Sequence, residues 1–343
     1  MKIDRRAFVG GLAVALVAPR DGFAASITDA TGRTVMASDR LMRIYPAGPP
    51  AAVELYTLAP DLLMGWLEPI GQADREFLLP ESAALPKIPR LTGRGGDTIN
   101  LDALAALKPD LILDVSNTGE AYSSLAERVQ QQSSIPYVLL DGHLDRIGAT
   151  YRAIGHLIGR SEQAETLARY AETTIATITQ RSAEVPSDAR PLVYYARDKS
   201  GLQTGFGGSM ISEPIEFIGA RNAAAELHGA HGVATLEQVT AWNPEIIIAG
   251  DREFTKLVRS DPAWAAIAAV EKGRIYLAPR LPFGWIDYPP AVNRLIGLWW
   301  LAKIFYPDRF PEDINALARH FYTVFYHVTP TAAQIGRVLA GGD

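Results

Sequence analysis

The chain has 343 residues, enough for two domains of ordinary size, and it is 48% hydrophobic and 21% charged, the balance of a soluble globular protein. Its formal net charge of -5 argues against a nucleic-acid partner held by phosphate neutralisation. It has no cysteine, which excludes disulfides, thiolate metal sites, a cysteine nucleophile and lipid attachment through an N-terminal cysteine.

Residues 1–25 read as an export signal. Lys2, Arg5 and Arg6 make a basic start, and Ala7 to Ala18 is apolar but too short to span a bilayer. Gly22-Phe-Ala24 supplies small residues for a signal peptidase, with cleavage after Ala24 or Ala25. Arg5-Arg6-Ala7-Phe8 resembles a twin-arginine signal, and an ordinary secretory signal is the alternative. Cleavage would remove four positive and two negative charges and leave a mature chain near -7, expected free in the periplasm.

Residues 26–145 read as a first lobe. Ser26 to Met36 has the alternation and turn signal of a hairpin. Leu41 to Tyr45 reads as a strand, Ala51 to Leu58 as a helix and Asp61 to Trp66 as a strand, and residues 69–89 as an irregular excursion. The Gly-rich loop Leu91 to Asp97 leads into Asn100-Leu-Asp-Ala-Leu-Ala-Ala-Leu-Lys-Pro-Asp-Leu-Ile-Leu-Asp114. This unit is a short amphipathic helix stopped by proline, followed by an apolar run that suits a strand covered on both faces. A helix over Asn117–Gln131 and a strand over Ile135–Leu140 follow.

Residues 146–185 read as connecting helices. Ser161 to Ala183 contains no Gly or Pro, and its apolar residues at spacings of three and four ask for one buried face. Ser161 reads as its N-cap, with Glu162 and Glu165 in the first turns and Arg181 in the last. At 1.5 Å per residue the helix is roughly 34 Å long, about one small domain across.

Residues 186–343 read as a second lobe with the same rhythm. Pro191 to Ala196 is a strand, the loop Gly201–Gly208 opens a helix over Met210–Gly219, and His228-Gly-Ala-His-Gly232 is a loop. Thr235-Leu-Glu-Gln-Val-Thr-Ala-Trp-Asn-Pro-Glu-Ile-Ile-Ile-Ala249 repeats the helix, proline and buried-strand pattern of residues 100–114. Helices over 251–258 and 263–270, a strand over 273–277, a helix over 292–304 and a C-terminal helical pair complete it. The fold expected is therefore α/β: two Rossmann-like lobes bridged by one long α-helix, with the ligand sought between them.

The combination of the unit at 101–113, the long helix, Gly208–Asn222, the unit at 236–248 and the run from Asp261-Pro-Ala-Trp264 to Tyr276 resembles the helical-backbone class of periplasmic substrate-binding proteins. These proteins serve ABC importers of ferric siderophores, haem, cobalamin and related metal cargo. The resemblance covers essentially the whole mature chain. It implies a monomer that captures a metal chelate and delivers it to a permease dimer in the inner membrane. It also implies docking carboxylates on the two lobes, at Asp102 and Glu213.

Ligand contacts are expected where loops leave strand C-termini. In the first lobe these are Tyr45, Arg94 and Asn117, and Arg94 stands among glycines whose N–H groups could help grip an anion. In the second lobe they are Arg197, His231, Arg252, Trp285 and Tyr288. The resemblance adds that His231 could complete the coordination of an under-liganded ferric complex. A ferric siderophore is the first cargo expected, as Fe(III) chelate and not as an intrinsic cofactor. Cobalamin, haem, a metal–histidine complex or an oxyanion such as molybdate are the alternatives. No Gly-x-Ser-x-Gly elbow or P-loop is present, so no enzyme is expected. The alternative of another class is an exported metal-dependent hydrolase using His228 and His231.

Overall fold

The computed structural model describes residues 23–38, 40–92 and 100–342. Residues 1–22 of the export signal expected at 1–25, and the expected ligand residue Arg94, lie outside the described residues, while Phe23 to Ala25 fall in the first strand. A hairpin of β1 (Phe23–Thr28) and β2 (Thr34–Ser38) opens the chain. The first lobe is then built on a parallel sheet of β3 (Ile44–Pro46), β4 (Leu111–Ser116) and β5 (Tyr137–Asp141), in that spatial order.

The second lobe carries β6 (Leu192–Ala196), β7 (Gln203–Gly205), β8 (Arg221–Asn222), β9 (His231–Val233), β10 (Ile246–Ala249) and β11 (Ile275–Leu277). Its parallel sheet has the order β11-β10-β6-β8, and β7 pairs antiparallel with β9 as a separate ribbon. The two parallel sheets are separate, one to each lobe, as the α/β reading requires.

Each central strand shows why its apolar run is continuous. In β4, Leu111, Leu113 and Val115 face one hydrophobic cluster, while Ile112 joins Tyr45, Tyr137 and Leu139 in another. In β10, Ile246 and Ile248 face the first of these clusters, and Ile247 and Ala249 face a third. Period-two alternation thus divides each run between an outer core private to its lobe and an inner core common to both.

The linking helix spans Ser161–Ala183. It contributes Ala164, Leu167, Ala168, Ala171 and Ile178 to the common core. Its N-cap is Arg160 and no side chain caps it, so Ser161 is its first helical residue and not the cap expected. The preceding helix, Ile147–Leu157, packs on it very closely: a Cβ at Gly155 would stand 2.2 Å from the Ala164 Cβ. The C-terminal helices Ile314–Phe325 and Ala332–Leu339 reach back to the first lobe. There Tyr56 donates its hydroxyl hydrogen to the Tyr326 carbonyl at 2.7 Å, and Arg337 pairs with Glu76 at 2.5 Å. Trp66 packs on Phe283 and Phe77 on Tyr322, both across the lobes.

Three local expectations change. Asp61–Trp66 is not a strand but a 3-10 turn, Pro60–Leu62, followed by isolated bridges at Leu63 and Trp66. A Cβ at Gly65 would lie 2.5 Å from the Pro86 carbonyl, so the irregular excursion pins this segment where a sheet would have to pair it. The helix expected over 210–219 shortens to Glu213–Phe217. Ser212 Oγ bonds the Phe206 carbonyl at 2.6 Å and holds the preceding residues in turns. The β7–β9 ribbon had no legible signal, because three residues a side give too little alternation.

Candidate functional site

The C-terminal ends of β6, β10 and β11 meet at one place. Arg197 follows β6, Gly250 follows β10, and Arg280 lies three residues after β11. A Cβ at Gly250 would stand 2.9 Å from the Arg197 carbonyl, so this approach needs glycine. The segment 281–290 crosses over these ends. Gly284 is required in it, since a Cβ there would overlap the Asp287 carbonyl at 1.9 Å.

Arg197 is buried against Asp287, with side chains 6% and 3% exposed. Its Nε donates to Asp287 Oδ2 at 2.8 Å, and its Nη2 donates to the same oxygen. Burial alone would lower the guanidinium pKa, but the Asp287 charge leads the opposing effects and the net shift is upward. The remaining nitrogen, Nη1, is buried and makes no hydrogen bond. Asp287 Oδ1 accepts the Tyr288 N–H at 2.7 Å.

Tyr288 is 39% exposed and has φ of +65°, unusual for a residue with a Cβ. Its ring lies between two guanidinium groups, with Arg197 Cζ at 4.9 Å and Arg280 Cζ at 5.2 Å from the ring centroid. Arg280 is exposed and donates to the Gly250 carbonyl at 3.3 Å. Among the described residues no carboxylate pairs with it at salt-bridge distance. Asp74, from the first-lobe excursion, approaches near enough that the Arg280 charge offsets part of the burial that raises its pKa.

The first lobe brings a buried cradle. Leu91 and Thr92 N–H both reach the Ala47 carbonyl, and Gly48 passes so close that a Cβ would stand 2.5 Å from Thr92 Oγ1. Thr92 Oγ1 donates to Asp114 Oδ1 at 3.3 Å and Tyr137 donates to Oδ2 at 3.0 Å. Burial nevertheless pushes the Asp114 carboxyl up to about 6. Asp114 therefore fixes the residue from which the Gly-rich loop departs. At the end of β5, His143 Nδ1 and Asp141 Oδ1 are 2.6 Å apart.

A second polar cluster lies between the lobes. Arg294, fully buried, donates Nη1 to Glu213 Oε2 at 2.5 Å and to the Met210 carbonyl at 3.3 Å. Its Nη2 donates to the first-lobe Gly142 carbonyl, and the other Glu213 oxygen accepts the Leu144 N–H at 3.0 Å. Nearby, Glu54 is buried on the helix Pro49–Leu58, and burial pushes its carboxyl up to about 7.

Of the residues expected at the site, Arg197 and Tyr288 converge. Asn117 is exposed at the end of β4, where its Oδ1 accepts the Gly119 N–H at 2.7 Å. Tyr45 is corrected to a core residue: it is 1% exposed, and its hydroxyl donates to the Pro89 carbonyl. Trp285 is likewise corrected, being wholly buried with Nε1 directed to the Tyr322 hydroxyl at 3.3 Å. Arg252 reaches the Gly341 carbonyl and so ties down the C-terminal tail. His231 is exposed on β9 opposite Gly205, and His228 is exposed on the approach to it. Asp102 faces solvent in the first turn of the helix Leu101–Ala106. Glu213 does not match a free docking carboxylate, because both its oxygens serve internal donors. Among the described residues no group of three or more His, Cys, Asp or Glu converges to hold a metal. Arg280 and Asp287 were missed by sequence reasoning. The strand-end rule that found Arg197 reaches Arg280 as well if applied to β11.

The profile of the periplasmic binding protein family matches residues 81–281. The chain is 26% identical over 253 residues to the molybdate-binding protein MolA of Haemophilus influenzae, covering 68% of this chain and 71% of that protein. It is 26% identical over 220 residues to the Fe(3+) dicitrate-binding periplasmic protein FecB of Escherichia coli, covering 60% and 69%. An ABC transporter solute-binding protein from Sulfurospirillum deleyianum superposes with a TM-score of 0.83 at 27% identity, over 92% of this chain and 99% of that one.

Proposed function

We propose that this chain, which belongs to the periplasmic binding protein family, captures an anionic metal-containing solute at the Arg197–Tyr288–Arg280 cluster and delivers it to an ABC permease. The observation that carries the reading is the pair of guanidinium groups on Tyr288. Arg197 has a buried nitrogen with no partner, and Arg280 has no paired carboxylate among the described residues. Guanidinium groups so placed favour oxygen-rich anions, to which they present several donors in a fixed plane.

The ferric siderophore expected from the sequence becomes one member of a broader class. Molybdate and ferric dicitrate are the cargoes named for the two curated relatives, and both are metal anions. An oxyanion the size of molybdate fits the cluster best, since Trp285 and Tyr45 are committed to the core and leave few aromatic walls for a bulky chelate. We read the chain as a monomer working in the periplasm without catalysis, with lobes at 26–145 and 186–343. Its partner is a permease dimer in the inner membrane, met through Asp102.

Titration calorimetry with molybdate, tungstate, ferric dicitrate and cobalamin tests the cargo. Binding of an anion with a dissociation constant below about 10 µM, lost in Arg280→Ala, supports the reading. Tight binding of cobalamin alone would overturn it.

A further inference from the structure

Asn293 is fully buried at the N-cap of the helix Arg294–Phe305, yet its side chain does not cap that helix. An asparagine in this place ordinarily accepts an N–H of the first turn through its side-chain oxygen. Here Oδ1 is buried without a hydrogen-bond partner. The amide serves the preceding loop instead: Nδ2 donates to the Gly284 carbonyl and, at 2.8 Å, to the Pro289 carbonyl. Reversing the amide would set Oδ1 against two carbonyl oxygens, so the donors have to face the loop. Those carbonyls are the two ends of the turn that carries Tyr288. The turn has little slack, because the Gly284 N–H donates to the Tyr288 carbonyl at 3.1 Å and Gly284 has no room for a Cβ. The next residue, Arg294, is anchored to the first-lobe Gly142 carbonyl and to Glu213.

We propose that Asn293 is a positioning residue for the solute site: forgoing its helix cap, its amide ties Gly284 to Pro289 and so holds the Tyr288 ring between Arg197 and Arg280. This rests on the reading that the Arg197–Tyr288–Arg280 cluster takes the solute. Asp287 fixes Tyr288 on one side by accepting its N–H, and Asn293 fixes the following residue on the other. Because Arg294 is held by the first lobe, the tie also sets the ring relative to both lobes. A helix cap and a loop tie make different demands on the side chain. Serine and aspartate cap a helix about as well as asparagine does. Neither can donate to two carbonyls at once, since serine has one hydroxyl hydrogen and an ionised aspartate has none. A capping role therefore survives Asn293→Ser, and the tie does not.

Two measurements on the full mature chain test this. The first is cargo-free: hydrogen exchange of the loop peptide 283–290 and of the helix peptide 295–305, in the wild type and in Asn293→Ser. Loop protection should fall at least threefold in the variant while helix protection is unchanged. The second is the affinity for molybdate or ferric dicitrate, expected to fall at least fivefold in Asn293→Ser. In a Tyr288→Ala background the same substitution should cause no further loss, because the tie then has no ring to place. If Asn293→Ser does not fold, Asn293→Asp, which keeps the shape, takes its place. Unchanged loop protection overturns the positioning role, and so does a loss confined to the helix. An affinity loss that persists in full without Tyr288 overturns it as well. If neither anion binds the wild type, the cargo reading falls, and the exchange comparison alone decides the tie.

Discussion

Arg197 and Asp287 are ninety residues apart in sequence, yet they form an ion pair with both side chains almost fully removed from solvent. The pair does two things at once. It neutralises a cation that must sit under the Tyr288 ring, and through Asp287 Oδ1 it holds the Tyr288 backbone in its left-handed conformation. Asp287→Ala leaves the guanidinium buried and unpaired, which should cost about 3–5 kcal/mol of unfolding free energy. The double variant Arg197→Met, Asp287→Leu should recover most of that while abolishing anion capture. Denaturant titration checks both, and an Asp287→Ala midpoint equal to the wild type would mean the pair holds nothing together.

Arg280 is the exposed counterpart, so its contribution should appear in binding and not in folding. Arg280→Ala is expected to weaken an anionic solute by about 1.5–3 kcal/mol, the usual worth of a hydrogen bond to charge. Its effect on stability should stay within about 0.5 kcal/mol, as for most exposed positions. Calorimetry and thermal melting on the same preparation separate the two. Lost stability with unchanged affinity would remove Arg280 from the site.

The large features were legible because each has a strong local pattern. The linking helix was read to its true bounds, Ser161–Ala183, since no Gly or Pro interrupts its amphipathic period. The two helix–proline–strand units were equally plain. Periodicity does not distinguish a private core from a shared one, so nothing in the sequence announced that Leu113 and Ile248 belong to the same cluster. The candidate site was half legible. Arg197 and Tyr288 follow from strand ends and aromatic content, but Asp287, which orders both, is an ordinary acid until the chain folds. Tyr45 and Trp285 misled for a related reason. A large aromatic near a strand end is either a cleft wall or a core prop, and only burial decides between them.

Asp114 carries a pH signature. Its carboxyl titrates near 3.8 unfolded and near 6 folded, so the native state holds the extra proton between those values. Native stability should therefore fall as pH rises from about 4 to about 6, and the loss should be complete above that. The shift corresponds to about 3 kcal/mol. Asp114→Asn keeps the shape and removes the titration, so its stability relative to the wild type should grow over that window. Melting temperatures at pH 4.5 and pH 7 report it, and a constant difference between the two proteins would contradict the assignment.

The two acids expected at the permease now divide. Asp102 is solvent-facing, so Asp102→Lys should reduce solute uptake in cells while leaving affinity and melting unchanged. Glu213 is the counter-ion of a fully buried Arg294, so Glu213→Lys should destabilise the protein itself, by about 3–5 kcal/mol. Loss of uptake in that variant would then say nothing about docking. Unimpaired uptake in Asp102→Lys would remove the first-lobe docking claim.

The last expectation concerns motion. A single stiff helix limits how far two lobes can close, but here the restraint is stronger, because the inner core runs through both lobes and the C-terminal helices fasten back onto the first. Closing the cleft by a large rotation would have to break Tyr56–Tyr326, Trp66–Phe283 and the Arg294 contacts together. Solute binding should accordingly leave the radius of gyration nearly unchanged in solution scattering. Gly155→Ala offers the converse. Its new Cβ would collide with Ala164, forcing the helix pair apart at a cost of about 1–3 kcal/mol. That variant should show a looser unloaded state and a larger contraction on loading. A wild-type contraction as large as the variant's would show that the shared core does not restrain the lobes.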